Sequence, residues 1–289
     1  MSKKQGIAVG VIIFLAIAYF GLTQYASHVA KTRLEAAIAK KGPYVQILYG
    51  NVSYNIFTQN TVIRAVSFKG PKMAVPIFAK EIIVHRLEMD SPKPTSVSMD
   101  ILGIELEPSA LGKEGAAELA ALGYAGPWTC DVTVDMDCQV EKRELKTHTL
   151  YAAKDVGSLR FDFVLSNLDW AANTPEALMA TLFTSAVKQA EIAYIDASLA
   201  ERIFKKNATQ QGLDLPTYKK QLTDQLDASL RQSPTPLSEA FVHALKQFIE
   251  NPRQLTISAN PAAPVSFGAI LKTGSPEGIA NLLALDIKS

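Results

Sequence analysis

A long uncharged segment near the N-terminus constrains this chain more than any other feature. Residues 6–25 contain no charged side chain, and 6–22 are almost wholly apolar. A helix of about 20 residues spans roughly 30 Å, the thickness of the apolar core of a bilayer. The sequence therefore predicts an uncleaved transmembrane signal anchor, with a cleaved signal peptide and a buried soluble helix as alternatives. The anchor includes Gly6, Ile12, Phe14, Phe20 and Tyr25.

The charges that flank this segment predict its orientation. Lys3 and Lys4 precede it with no acidic residue, and a short flank rich in Lys and Arg stays in the cytoplasm. We therefore expect a single-pass membrane protein with a cytoplasmic N-terminus and a main domain across the membrane. In a bacterium this is an inner-membrane protein with a periplasmic main domain. Residues 1–25 would form the cytoplasmic tail and anchor. Residues 26–43 would form a helical stalk that stops at a Gly-Pro pair.

Composition excludes several classes of function. The chain has 29 Lys and Arg against 28 Asp and Glu, and this balance provides no basic surface for nucleic acid. Its two Cys cannot build a disulfide scaffold or a four-Cys zinc site. We therefore expect no nucleic-acid partner.

Residues 44–170 are predicted to form a β-rich half. The segments at 44–57 and 61–70 are rich in Val, Ile, Tyr and Phe, and the polar residues between them predict a hairpin. From Cys130 to Cys138, apolar residues alternate with Asp and Thr, which predicts an antiparallel strand with one wet face. A short helix rich in Ala and Leu is expected within 109–126.

Residues 171–289 are predicted to form a mainly helical half with closing strands. Capping residues and prolines predict four long helices, at 175–189, 198–211, 217–231 and 237–249. Strands are expected at 191–196 and 255–259, and a short helix after Ser275. This order predicts an α+β fold in which an N-terminal transmembrane helix precedes an antiparallel β-sheet packed by the mainly helical C-terminal half.

Three segments of the second half carry a family resemblance: IAYIDASLAERIFKKNATQQGLDLP, ALKQFIENPRQLTISANPAAPVSFGAI and SPEGIANLLALDI. They resemble bacterial inner-membrane-anchored periplasmic proteins of unassigned function near the AsmA-like group, and VQILYGNVSYNIFTQN is similar to that group as well. The resemblance implies one N-terminal transmembrane helix and a curved antiparallel sheet. Larger AsmA-like proteins are associated with phospholipid movement between membranes. The resemblance supplies no catalytic residues.

The sequence gives no pattern that points to catalysis, a metal or a cofactor. The GxSxG and HExxH motifs are absent. Asp131, Asp135 and Asp137 could offer oxygens to a calcium ion, but a solvated strand face accounts for them better. We therefore expect a protein that is not an enzyme and that holds no metal or cofactor.

The two cysteines leave two alternatives open. Thiols of a periplasmic protein usually pair, so Cys130 and Cys138 could form a disulfide. A straight strand would separate them by roughly 26 Å, whereas a disulfide needs Cα atoms within about 7 Å. Either the chain turns between them, or both thiols are unpaired on the inner face.

The apolar side of the predicted sheet is the strongest functional candidate. Helices could cover it as a plain core, or part of it could stay open as a groove for acyl chains. We therefore expect a membrane-tethered periplasmic module that handles lipid or lipoprotein non-covalently, with membrane lipid as its partner. The alternative is a scaffold or accessory subunit bound to another cell-envelope protein. The groove candidates are Phe57, Val62, Val66, Phe68, Ile82, Val84, Ile101, Ile104, Leu159, Phe161 and Phe163.

Overall fold

Twelve strands form a large antiparallel sheet, and the chain divides into two compact units. The first unit comprises residues 1–86 and 99–106, and the second comprises 87–98 and 107–289. The computed structural model describes residues 22–36, 38, 46–70, 73, 75–90, 93–108, 112–124, 126–170, 180–181, 183–232 and 235–289.

Helix α1, residues 22–36, is the first described element. Its described residues include the charged residues Lys31, Arg33 and Glu35. No helix in the described part of the chain is long and apolar enough to cross a membrane. This finding overturns the prediction of a single-pass inner-membrane protein with a transmembrane helix, a signal anchor and a periplasmic main domain.

The residues on which that prediction depended fall in two groups. Tyr25 lies in α1 and is 70% exposed. The predicted stalk is helical from residue 26 to 36, and its Gly-Pro stop at 42–43 falls outside the described residues. Gly6, Ile12, Phe14 and Phe20 fall outside them as well.

Five strands lie wholly or partly in the first unit. They are β1 (Gln46–Leu48), β2 (Asn51–Tyr54), β3 (Thr61–Lys69), β4 (Ile77–Asp90) and β5 (Lys93–Leu106). Their order is β1–β3–β4–β5, and β2 also pairs with β3. The predicted hairpin is present, but its first strand is broken at Gly50, whose N–H donates to the carbonyl of Arg64 at 2.9 Å. Helix α1 is tied to this hairpin because the Ser27 hydroxyl accepts from the N–H of Tyr54 at 2.8 Å.

Seven strands follow in the second unit: β6 (Trp128–Gln139), β7 (Glu144–Ala153), β8 (Gly157–Ser166), β9 (Ala186–Asp196), β10 (Gln254–Ala259), β11 (Val265–Ser266) and β12 (Leu285–Lys288). Their order is β6–β7–β8–β9–β10–β12, and β11 pairs with β9. A short 3-10 turn at Val140–Lys142 joins β6 to β7, and a turn at 154–156 joins β7 to β8. These short connections explain the antiparallel pairing.

The helices of the second unit are α2 (Gly112–Ala121), α3 (Leu199–Gln210), α4 (Leu215–Gln232), α5 (Pro236–Glu250), α6 (Phe267–Thr273) and α7 (Pro276–Leu282). The helices predicted at 198–211, 217–231 and 237–249 are therefore confirmed as α3, α4 and α5. Local caps explain this agreement. The Thr235 side chain accepts from the N–H of Ser238 at the start of α5, and Ser275 caps α7 in the same way.

Small residues dominate the buried core of the second unit. Helix α5 packs on β10 and β12, α6 on β11, and α7 on β12. Phe248 of α5 meets Tyr194 of β9 edge to face, with ring centroids 6.1 Å apart. The helices therefore pack on β10, β11 and β12, and they reach β9 at Tyr194. Buried apolar residues of these strands and of the helices include Ala186, Val187, Ala193, Ala200, Ala208, Tyr218, Val242, Ala244, Ile249, Ala259, Val265 and Ala280.

The predicted fold, in which a mainly helical C-terminal half packs on the sheet, is wrong. Strands β9 to β12 come from that half and are part of the sheet itself. Of the helix predicted over 175–189, residues 180–181 and 183–184 are helical, and 175–179 lie outside the described residues. Strand β9 begins at Ala186, so the predicted end of this helix is wrong. Strand β9 pairs with both β8 and β10, and pairing on two sides outweighs the helix propensity of its Ala, Gln and Lys residues.

Candidate functional site

The register of β6 to β9 sorts the side chains of these strands into two faces. Tyr151 of β7 lies opposite Val132 of β6 and opposite Leu159 of β8. Leu159 in turn lies opposite Tyr194 of β9, so all four residues share one face. We call this surface the apolar face. Its members are Cys130, Val132, Val134, Met136, Cys138, Leu145, Thr147, Thr149, Tyr151, Leu159, Phe161, Phe163, Leu165, Ala190, Ile192 and Tyr194.

The apolar face is only half covered by the described residues. None of the ten residues of β7 or the ten of β8 is buried, although each strand has a paired neighbour on both sides. Strands inside a sheet normally have at least one face in the core. Tyr151 is 43% exposed and Ile192 is 36% exposed. The face therefore leaves large apolar side chains in contact with solvent.

Aromatic rings form the centre of this surface. Tyr151 meets Phe161 edge to face with centroids 6.1 Å apart, and Phe161 stacks with Phe163 at 6.4 Å. Strands of this length and number make a surface of roughly 30 Å by 15 Å. Apolar patches of several hundred Å² on a protein surface usually mark interaction sites. The apolar face is the candidate functional site.

Three of the predicted groove residues lie together on the apolar face. They are alternate residues of β8, namely Leu159, Phe161 and Phe163. The register places Phe161 opposite Ile192 and Phe163 opposite Ala190. The structure thus brings these three residues together with the aliphatic side chains of β9.

The predicted groove residues of the first unit do not share a face. Val62 of β3 lies opposite Ile83 of β4. Ile82 and Val84 flank Ile83 along β4, so they lie on the other side of the sheet. Val62, Val66 and Phe68 are therefore on one face, and Ile82 and Val84 are on the other.

The remaining predicted groove residues are separated from these. Ile101 and Ile104 are half-buried on β5, with Gly103 between them at a φ of 61°. Phe57 lies in the turn after β2 and is 78% exposed. The predicted groove residues of the first unit therefore do not form one surface.

The opposite face of β6 to β9 carries charged side chains. His148 of β7 lies opposite Asp135 and Asp162, and its Nδ1 is 2.5 Å from Oδ1 of Asp162. Arg160 places its Nε 2.9 Å from Oδ2 of Asp162 and also pairs with Glu191 of β9. These side-chain contacts cross three strands, β7, β8 and β9. No three His, Cys, Asp or Glu side chains of the described residues are arranged to hold a metal ion.

A cluster at one end of the apolar face has no signal in the sequence. Trp128 is the first residue of β6 and stacks with Tyr124 at a centroid separation of 6.5 Å. The guanidinium of Arg202 lies 4.4 Å from the centre of the Tyr124 ring. Its Nε donates to Oγ of Ser198 at 3.0 Å, and its Nη1 donates to the Leu122 carbonyl at 3.1 Å. We call Tyr124, Trp128, Ser198 and Arg202 the Arg202 corner.

Tyr194 connects the apolar face to the start of α3. Its hydroxyl donates to Oδ1 of Asp196 at 2.5 Å, and the same oxygen accepts from the N–H of Ala200 at 2.8 Å. Burial raises the pKa of Tyr194, and the neighbouring carboxylate of Asp196 raises it further. The phenol is therefore neutral at physiological pH and acts as a donor to Asp196.

Both cysteines lie on the apolar face and are free thiols. They belong to one continuous strand, β6, and eight residues of extended chain separate them by about 26 Å. Of the two alternatives left open by the sequence, the structure supports unpaired thiols. Burial raises the pKa of Cys130 and of Cys138, so both are protonated at neutral pH.

One family model is similar to the second half of the chain. A family described as an uncharacterized protein matches residues 150–289, which begin within β7 and continue to the end of the chain. No curated protein matches the chain. The matched region includes β8, β9 and Arg202, whereas β6 and Tyr124 precede it. The family description gives no activity, so the resemblance to AsmA-like proteins stays a prediction.

Proposed function

We propose that the protein binds acyl chains, of a lipid or of a lipid-modified protein, non-covalently on the apolar face of β6 to β9. One observation carries this proposal: β7 and β8 are inner strands of the sheet, yet neither contains a buried residue. The rings of Tyr151, Phe161 and Phe163 lie at the centre of the surface. An acyl chain needs apolar contact area and no hydrogen-bond partner, which this surface offers.

The size of the face suits such a ligand. One leaflet of a bilayer core is about 15 Å thick, half of the roughly 30 Å for the whole core. An extended acyl chain of one leaflet therefore fits within a strand length of roughly 30 Å.

The affinity would come from methylene groups removed from water. Full burial of one methylene contributes about 0.8 kcal/mol, and contact with one face of a sheet removes roughly half of that surface. Each methylene then contributes about 0.4–0.8 kcal/mol, opposed by the entropy lost on association. Binding should strengthen roughly twofold to fourfold with each added methylene.

This prediction is tested by titrating the full-length protein with octanol, decanol and dodecanol in a calorimeter. Uncharged alcohols measure the contribution of the alkyl chain alone, because they have no ionic headgroup. The dissociation constant should fall roughly twofold to fourfold for each methylene added to the chain. A dissociation constant that does not change with chain length would contradict acyl-chain binding and favour a protein partner on the same face.

Strand β9 offers a matched pair of variants. Ile192 lies on the apolar face opposite Phe161, whereas Ile195 lies on the other face opposite Ser158. The two side chains are 36% and 48% exposed, so both tolerate replacement by Gln. Ile192→Gln should weaken dodecanol binding about fivefold to tenfold, and Ile195→Gln should change it less than about twofold. Equal effects of the two variants would show that the apolar face is not the binding surface.

A further inference from the structure

Arg202 has a positive charge that no described carboxylate neutralises. It forms no ion pair within the described part of the chain, and two of its N–H groups donate to the neutral oxygens of Ser198 and Leu122. The guanidinium face rests on the Tyr124 ring, which fixes its plane. A guanidinium has five N–H donors, so several remain for a further acceptor.

Two charged groups near Arg202 are already engaged. Lys206, one turn further along α3, pairs with Glu118 of α2. Asp196 accepts from the Tyr194 hydroxyl and from the N–H of Ala200. A partly buried guanidinium without a counter-charge is unfavourable, and an anion beside it would remove that penalty.

The Arg202 corner lies at one end of the apolar face. Trp128 is two residues before Cys130 on β6, so its side chain is on the same face. The indole N–H of Trp128 is buried and has no acceptor among the described residues. The half-exposed strands β7 and β8 beside β6 have ten residues each and run for about 30 Å, long enough for an extended acyl chain. A ligand with an apolar chain and an acceptor-rich end matches this arrangement.

Building on the proposed function, we propose that the Arg202 corner binds the anionic headgroup of an amphiphile whose acyl chain lies on the apolar face. Carboxylates and phosphates share the required chemistry, because both present paired oxygens that accept two N–H bonds from a guanidinium. The ligand class is then a fatty acid or a monoacyl phosphate, and a neutral lipid would lack the ionic contact.

The first test compares dodecanol, dodecanoate and dodecyl phosphate, which have the same chain. At least one anion should bind the full-length protein about tenfold or more tightly than dodecanol, because a charge-assisted bond to Arg202 is added. Arg202→Gln should remove this advantage, so that the anions and dodecanol bind the variant with similar affinity. Lys205→Gln removes one positive charge from the exposed side of the same helix and should keep the advantage. The anion that binds more tightly identifies carboxylate or phosphate as the headgroup.

The outcomes separate this inference from the proposed function. Equal binding of anions and alcohol, or an advantage that survives in Arg202→Gln, would overturn the headgroup site while acyl-chain binding stands. Failure of the wild-type protein to bind dodecanol would overturn the proposed function itself. A circular dichroism spectrum and an unfolding midpoint like those of wild type show that Arg202→Gln is folded.

A second test needs no change at Arg202. The chain has two tryptophans, so Trp170→Phe leaves Trp128 as the sole indole reporter. Bromine quenches tryptophan fluorescence at short range. Dodecanoate brominated next to its carboxylate should quench Trp128 more strongly than dodecanoate brominated on its terminal carbon. The reverse order would place the headgroup at the other end of the apolar face and overturn the proposal.

Discussion

Glu144 shows how one side chain links the end of β7 to a distant strand. Its Oε2 accepts from Nζ of Lys188 on β9 at 2.8 Å, and Lys146 lies 3.5 Å from Oε1. The Glu144 side chain is 12% exposed, whereas the two lysines are about half exposed, at 53% and 52%. The hydrogen bond from Lys188 lowers the pKa of Glu144 below its ordinary value of 4.5.

This lowered pKa predicts a specific loss of stability in acid. The ionised form of Glu144 is favoured in the folded state, so its contribution is present above pH 4.5 and disappears as the pH falls through the folded-state pKa. Glu144→Gln should unfold more easily than wild type at pH 7, by up to about 1 kcal/mol. The difference should be smaller at pH 3 than at pH 7, as measured by urea unfolding at both pH values.

A matched control is available on the turn before β7. Glu141 is exposed and forms no ion pair within the described part of the chain. Glu141→Gln should leave the free energy of unfolding unchanged at both pH values. A Glu144→Gln defect that is as large at pH 3 as at pH 7 would show that packing, and not the charge, is responsible.

At the scale of elements, the β7–β8 hairpin depends on a glycine. Gly157 follows the turn at 154–156 and has a φ of 148°. A Cβ atom there would lie 2.5 Å from the carbonyl oxygen of Ile195 and 3.2 Å from the Tyr194 ring. Both neighbours belong to β9, so the strand cannot approach β8 in this register with a side chain at 157.

Gly157→Ala should therefore destabilise the second unit strongly. We expect a loss of roughly 2–3 kcal/mol in the free energy of unfolding, since both the backbone conformation and the contact with β9 are violated. Gly126→Ala is the control, because a Cβ atom at 126 meets nothing within 4 Å. Chemical denaturation of both variants checks the prediction, and equal midpoints would disprove the close approach of β9.

Local signals account for the elements that the sequence predicted correctly. Strand β6 follows from the alternation of apolar residues with Asp and Thr, and α5 follows from its Thr-Pro start. Strand β9 was predicted only in part, because its first residues have helix propensity and their pairing partners are distant in sequence. The last residues of β9 pair with β10 about 60 residues further along, and no local pattern encodes that contact.

The candidate site shows the same limit. Leu159, Phe161 and Phe163 could be found from the sequence because alternate residues of one strand share a face. The groove residues of β3 and β4 could not be assigned to a face of the sheet from the sequence, because a shift of one residue in the pairing register moves each side chain to the opposite face. Arg202 and Tyr124 are far apart in the chain, and only the packing of α3 brings them together.

In the second unit, helices pack on some strands, whereas other strands leave apolar side chains exposed. Helices α5, α6 and α7 pack on β10, β11 and β12, which hold part of the buried core. The apolar side chains of β7 and β8 stay half-exposed within the described chain. Because β6 borders β7, its two cysteines can report whether a ligand covers the apolar face in the intact protein.

Thiol labelling of the full-length protein provides this measurement. When the protein is unfolded without a reducing agent, a thiol reagent should label two cysteines, because Cys130 and Cys138 are free. In the native state both should react slowly, since burial raises their pKa values, and Cys138 should be the slower because it is only 7% exposed.

Dodecanol should slow native labelling further if the ligand covers β6, and Cys130→Ser and Cys138→Ser assign the two rates. A ligand whose alkyl chain extends from the Arg202 corner reaches Cys130 first. Protection from labelling should therefore be greater at Cys130 than at Cys138, which lies about 26 Å further along β6. Equal protection of both thiols would mean that chains cover the whole length of the strand. Absence of protection while dodecanol is bound would place the ligand off the apolar face.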